Sequence, residues 1–137
     1  MSPTPIDWEA LARAATEARE RAYAPYSGFA VGAAALFEDG QLTQGANVEN
    51  ASYSLGVCAE RNAVAAGVLG AHGRLRAVLV LSASGRPVPP CGACRPVLAE
   101  FSGPELPIQS RTLGGSKMTH TLGSLLPEAF GPEWLGR

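Results

Sequence analysis

Apolar residues recur at Trp8, Leu11, Ala15, Ala18 and Ala22, the spacing that lays a single stripe along one face of a helix. Thr4, Pro5 and Asp7 mark its start, because a hydroxyl can accept from an amide of the first turn and proline suits the first helical position. Tyr23, Pro25, Ser27 and Gly28 end that stripe, and the pattern changes. Phe29 to Phe37 is a short apolar run of strand length, Asp39-Gly40 supplies a tight turn, and Gln41 to Val48 follows as the second arm of an antiparallel hairpin.

Further on, Cys58 to Leu69 reads as an alanine-rich helix closed by Gly70, and Leu75 to Ser82 as a buried strand. After the proline-rich loop Arg86 to Pro90 comes a second helix, Cys91 to Phe101, terminated by Gly103 and Pro104. Leu106 to Arg111 and Lys117 to Thr121 are strands separated by Gly114-Gly115, too short a link for a parallel crossover, so these two should pair antiparallel. A short helix from about Gly123 to Ala129, holding Leu125 and Leu126, closes the pattern. The order predicts an α/β fold: a mixed five-stranded sheet, its last two strands antiparallel, with helices packed on its faces. A length of 137 residues is enough for one core, so residues 1–137 are expected to form a single domain.

Charge narrows the range of partners. Lysine plus arginine number 11 against 12 aspartate plus glutamate, without a run of like charge suited to a phosphate backbone, which argues against a nucleic-acid partner. No stretch is apolar enough for a bilayer span, and Met1 to Glu9 carries Pro3, Pro5, Asp7 and Glu9 where a secretory signal would have a basic and then an apolar segment. A cytoplasmic protein with no membrane partner is the expectation.

The chemistry lies in three cysteines. Cys91 and Cys94, two residues apart at a helix start, face the same way and can chelate one soft cation. Alone such a pair also fits a redox motif, but that leaves Cys58 without a role. Three thiolates leave tetrahedral zinc one open position, the mark of a catalytic rather than a structural site. His72 and His120 stand apart from the cysteines and from each other, with no ligand-like spacing. Glu60, two positions after Cys58, suits a general acid/base beside the metal, although glutamate also favours helix N-termini for electrostatic reasons. Three thiolates around a dication leave excess negative charge, and Arg61 and Arg95, each directly after a motif member, are candidates to donate to the sulfurs.

Cys58-Ala59-Glu60 followed by Pro90-Cys91-Gly92-Ala93-Cys94 is the three-cysteine form of the zinc nucleobase deaminase signature. The chain resembles the small homotetrameric cytidine deaminases from Ala24-Pro25-Tyr26-Ser27 through Leu125-Leu126-Pro127-Glu128-Ala129-Phe130. The resemblance implies a three-layer α/β/α architecture, one Zn2+ per chain and hydrolysis of cytidine and deoxycytidine to uridine and deoxyuridine in pyrimidine salvage. Activated water would attack C4 while Glu60 shuttles protons. It assigns Asn47 and Glu49, within Asn47-Val48-Glu49-Asn50-Ala51-Ser52-Tyr53, to the ribose hydroxyls, Phe29 to the pyrimidine face and the Ala59 backbone to the base carbonyl. Phe130 would enter a neighbouring subunit's pocket, and Tyr53 would lie at the subunit contact. The sequence departs from the family pattern at Pro89 and Asn62, where serine and threonine are common. Rival readings are a blasticidin S-type deaminase, a polynucleotide or tRNA deaminase, and a non-catalytic module that zinc merely stabilises.

Overall fold

The structure is a computed structural model that describes residues 4–137, so Met1 to Pro3, with which the signal-peptide reading began, lie outside the described residues. Its elements are α1 (Trp8–Arg19), β1 (Val31–Phe37), β2 (Leu42–Ala46), α2 (Ala59–Leu69), β3 (Leu75–Ser82), α3 (Cys94–Glu100), β4 (Pro107–Thr112), β5 (Lys117–Thr121) and α4 (Leu122–Leu125). The strands form one sheet in the order β2-β1-β3-β4-β5. β3 and β4 run parallel and every other neighbouring pair is antiparallel, including β4 with β5 as the short Gly114-Gly115 link requires.

Strand alternation divides the interior between two layers. Ala33, Ala35 and Phe37 of β1 join Ala59, Ala63 and Val64 of α2, Leu98 of α3 and Leu122 of α4 in one cluster. Ala34 and Leu36, the intervening residues, join Leu11, Ala12 and Ala15 of α1 together with Ala77, Leu79 and Leu81 of β3 in the other. The sheet is therefore sandwiched between α1 on one face and α2, α3 and α4 on the other. Trp8 packs partly buried against the α1 cluster, as its place in the stripe suggested.

Two glycines on neighbouring strands let the helices approach closely. A Cβ at Gly32 of β1 would run into the backbone of Ala15 and Arg19 in α1, and one at Gly45 of β2 into the backbone of Ala59 and Ala63 in α2. α2 is also tied to β2 by hydrogen bonds from Thr43 Oγ1 to Ala63 O at 2.6 Å and from Asn62 Nδ2 to Ala46 O at 2.8 Å. The departure at position 62 thus serves a structural contact, an amide holding the last residue of β2.

Several element boundaries differ from expectation. α1 is capped by Asp7, whose carboxylate accepts from Ala10 N, so the cap lies three residues beyond Thr4 and the helix stops before Ala22. α3 begins at Cys94, because Cys91 to Ala93 form a turn whose first carbonyl accepts from Cys94 N and Arg95 N. α4 ends at Leu125, since Pro127 has no amide hydrogen and Glu128 adopts a left-handed φ of 50°. Two 3-10 turns absent from the sequence reading, Tyr53–Leu55 and Pro132–Leu135, complete the chain.

Candidate active site

The three cysteines come from two helix starts on the same face of the sheet. Cys58 is the extended residue that caps α2, Cys91 opens the turn before α3, and Cys94 is the first residue of α3. Their sulfurs all lie within 4.8 Å of one another, with Cys58 to Cys91 at 3.6 Å and Cys91 to Cys94 at 3.4 Å. Tetrahedral zinc with Zn–S bonds of about 2.3 Å requires sulfurs about 3.8 Å apart, so the triad is spaced to hold one such ion with small adjustments. Among the described residues this is the one group of three or more histidine, cysteine or acidic side chains able to share a metal. His72 instead bonds Asp39 Oδ2 through Nδ1 at 2.7 Å, joining the α2–β3 loop to the hairpin turn, and His120 lies in β5.

The environment of the sulfurs is uneven. Cys94 is buried, Cys58 half-buried and Cys91 exposed. The Cys58 thiol is lowered to about 5, first by its hydrogen bond with Cys94 and then, against the opposing effect of burial, by Arg61 and Cys91. Cys94 is pushed the other way by that same bond, by burial and by the Glu60 charge. Arg61 Nη2 stands 3.6 Å from Cys58 Sγ and 3.4 Å from Gly56 O. One guanidinium thus touches both a thiolate and the backbone leading into it. Arg95, the other expected sulfur donor, directs its bonds elsewhere: Nε to Pro90 O at 2.8 Å and Nη1 to Leu125 O at 2.9 Å. Its side chain therefore joins the end of the proline-rich loop to the end of α4.

Glu60 is only 4% exposed, in the first turn of α2 on the interior side. Burial first, and the nearby Cys58 charge, raise its carboxyl above the ordinary range. Ala59 beside it is fully buried.

A second group of expected residues converges just before α2. Val48 and Val57 exchange backbone hydrogen bonds of 2.9 Å in both directions, closing residues 49–56 into a loop whose end delivers Cys58. At its start, Glu49 Oε1 accepts from Tyr26 N and Ser27 N at 3.1 Å, and Oε2 accepts from the Ser27 hydroxyl. These bonds, led by the Ser27 hydroxyl, hold the Glu49 carboxyl below its usual range. The Asn47 side chain bridges the approach to β1, donating from Nδ2 to Phe29 O and accepting at Oδ1 from Val31 N, both at 2.8 Å. A cleft of about 320 Å³ lies here, lined by Tyr26, Ser27, Glu49, Asn50, Tyr53 and Gly56. In the sequence Ser27 reads as a helix breaker. Its bond to Glu49, 22 residues away, left no local signal.

Phe29 is partly exposed beside this cleft, while Tyr53 is 80% and Phe130 72% exposed. Tyr53 stacks edge-on against Tyr26 with ring centroids 5.9 Å apart. Phe130 lies on a separate groove with Pro96, Leu126 and Trp134, so a single chain does not bring it into the cleft lined by Glu49 and Tyr53.

A mixed sheet carrying an open three-thiol metal site and a buried carboxylate at the start of one of its helices defines a zinc hydrolase centre. Comparison with known proteins narrows the class. Residues 6–109, which contain all three cysteines and Glu60, match the family model described as the cytidine and deoxycytidylate deaminase zinc-binding region. The chain is 44% identical over 128 residues to the cytidine deaminase of Halalkalibacterium halodurans, covering 93% of this chain and 97% of that one. It is 46% identical over 136 residues to that of Mycobacterium tuberculosis, covering 96% of each. The crystal structure of the Burkholderia pseudomallei cytidine deaminase superposes with a TM-score of 0.87 at 42% identity, covering 91% of this chain and all of that one. The chain belongs to the cytidine and deoxycytidylate deaminase family: it is a zinc-dependent deaminase with the α/β fold expected from its sequence.

Proposed function

We propose that the chain, acting as one functional domain, removes the exocyclic amine of cytidine and deoxycytidine by hydrolysis, releasing ammonia and the uracil nucleoside. The observation that carries this reading is the convergence of three thiols with a buried glutamate at the start of α2, beside the loop that presents Glu49. Bound by Cys58, Cys91 and Cys94, zinc supplies a Lewis acid that makes water nucleophilic near neutral pH. Glu60 does the proton work: its carboxylate takes one proton from the attacking water and passes it to N3 of the ring, then takes the second from the resulting C4 hydroxyl and delivers it to the departing amine, so that the C–N bond breaks as the carbonyl forms. A buried carboxyl suits both roles because bulk water does not compete for its proton.

Arg61 offsets the surplus negative charge of the thiolates through its contact with Cys58. Asn47 and Glu49 bind the ribose hydroxyls; Glu49, ionised and oriented by Ser27, offers its remaining lone pairs as acceptors. Phe29 covers the pyrimidine face and the Ala59 backbone meets the base carbonyl. A homotetramer completes the pocket, with Phe130 of each chain entering a neighbour's cleft and Tyr53 at the contact. The large exposure of both rings supports this arrangement. The enzyme then serves pyrimidine salvage in the cytoplasm. Among the described residues no helix is long and apolar enough to cross a membrane.

The test measures zinc per chain and ammonia release from cytidine, deoxycytidine, cytosine and blasticidin S. Turnover of both nucleosides with one zinc per chain is expected. Turnover of blasticidin S alone would replace the nucleoside reading, and bound zinc without ammonia from any of the four would remove catalysis altogether. Sedimentation of a fully active monomer would exclude the shared pocket.

A further inference from the structure

We propose that Arg95 is a positioning residue that clamps the C-terminal segment carrying Phe130 to the loop carrying Cys91. The inference deepens the deaminase reading and rests on it for its kinetic consequence.

The half-buried guanidinium spans two backbone segments, with Nε on Pro90 O and Nη1 on Leu125 O. Pro90 is fully buried and immediately precedes Cys91, and Leu125 is the last residue of α4, five positions before Phe130. Neither carbonyl has a ready local partner. In the loop Arg86 to Pro90, Pro87, Pro89 and Pro90 bring no amide hydrogens, so the loop has few donors of its own. At the end of α4 the helix stops, leaving its last carbonyls without intrahelical donors, and Pro127 and the left-handed Glu128 prevent its continuation.

Arginine alone among the side chains offers a rigid fork able to hold two such acceptors at fixed directions, whereas a lysine ammonium is a single point. The consequence is mechanical. If the clamp opens, Leu126 to Phe130 shifts relative to the metal loop, and the aromatic that closes the substrate cleft of a neighbour is misplaced. The zinc ligands, held by α2 and by the turn of Cys91 to Cys94, stay where they are.

The test uses zinc-loaded full-length Arg95→Lys and Arg95→Gln. Removing a hydrogen bond from a charged donor corresponds to about a tenfold effect or more. Both variants should therefore raise the cytidine KM about tenfold or more, with kcat within about threefold of the parent and one zinc per chain retained. Amide hydrogen exchange at Leu126, whose N–H bonds Leu122 O at 2.8 Å, should quicken in both. A general packing role would lower the urea midpoint without separating KM from kcat. An unchanged KM, or a fall in kcat with KM constant, would overturn the proposal, as would unaltered exchange at Leu126.

The unmodified protein provides a second measurement should a variant not fold. Saturating uridine should slow exchange at Leu126 and Arg95 in parallel, and a Leu126 amide indifferent to uridine would count against the clamp. A parent protein that released no ammonia from cytidine would refute the deaminase reading instead, leaving the exchange comparison of parent and variants intact.

Discussion

Gly45→Ala and Gly32→Ala form a matched pair of perturbations on adjacent strands and opposite faces of the sheet. In the first, the new Cβ would stand 2.5 Å from Ala63 N, with Ala59 O also too close. Restoring ordinary contact at about 3.5 Å requires α2 to back away by roughly 1 Å. The obstacle is backbone on both sides, so relief through side-chain rotation is not open to it. Overpacking of this kind costs about 1–3 kcal/mol, and the reduced freedom of the unfolded chain offsets about 0.4–1 kcal/mol, leaving a net loss of about 1 kcal/mol.

Gly32→Ala meets the backbone of α1 still more tightly, against Ala15 O, and should lose at least as much. Their effects on the site should differ sharply. α2 carries Cys58 and Glu60 at its start, and a misplacement of about 1 Å there corresponds to roughly a hundredfold loss of kcat/KM. α1 carries no metal ligand. Urea unfolding at fixed zinc should therefore show two weakened proteins, Gly32→Ala at least as much as Gly45→Ala, while chelator competition and ammonia release should single out Gly45→Ala. Equal zinc affinity and equal activity in the two variants would refute the idea that the α2–β2 approach sets the metal geometry.

Glu60→Gln should keep zinc and fold and lose about 10²- to 10⁴-fold in kcat, the span of general acid/base contributions; a variant within tenfold of the parent would show that the proton travels by another route. Arg61→Gln should raise the Cys58 thiol from its position at about 5 in the zinc-free protein, visible as a later onset of thiolate ultraviolet absorbance on raising the pH. A titration that does not move would mean that Cys94 and Cys91 alone stabilise that thiolate. Ser27→Ala should lower stability near neutral pH and flatten its dependence on acid: the folded Glu49 carboxyl sits below its unfolded value, so its stabilisation is complete above about pH 4.3 and disappears as pH falls through the folded value. The variant's urea midpoint should consequently be lower than the parent's above that pH, with the two converging below it; a constant gap at all pH values would assign the loss to Ser27 packing.

The elements legible in the sequence are those that local chemistry decides. Asp39-Gly40 and Gly114-Gly115 specify hairpins because so short a link permits no other pairing, and the structure has both. The stretch from Leu75 to Ser82 is apolar throughout and bounded by breakers, and β3 has the same limits. Cys91 to Ala93 was expected to be helical, but bringing three sulfurs together requires Cys91 to leave the helix, a tertiary demand with no periodicity of its own. Arg95 was expected near the sulfurs because sequence adjacency to Cys94 says nothing of where a long side chain ends. Its acceptor on Leu125 lies 30 residues away. The cysteine triad was legible because few other uses fit that spacing, whereas Ser27 could be recognised only after folding placed it on Glu49.

The closure of residues 49–56 by Val48 and Val57 has a meaning for how such an enzyme diversifies. A segment anchored at both ends to itself can change in length or composition without dragging the residue that follows it, much as an antibody loop varies on a constant framework. Cys58 stands one residue beyond the anchor, so revisions to positions 49–55, the part proposed to meet the sugar, leave it in place, whereas Gly56 is tied to Cys58 through Arg61. On the proposed role of Glu49, loop grafts confined to positions 49–55 offer a route to altered nucleoside preference with the metal ligands left in place.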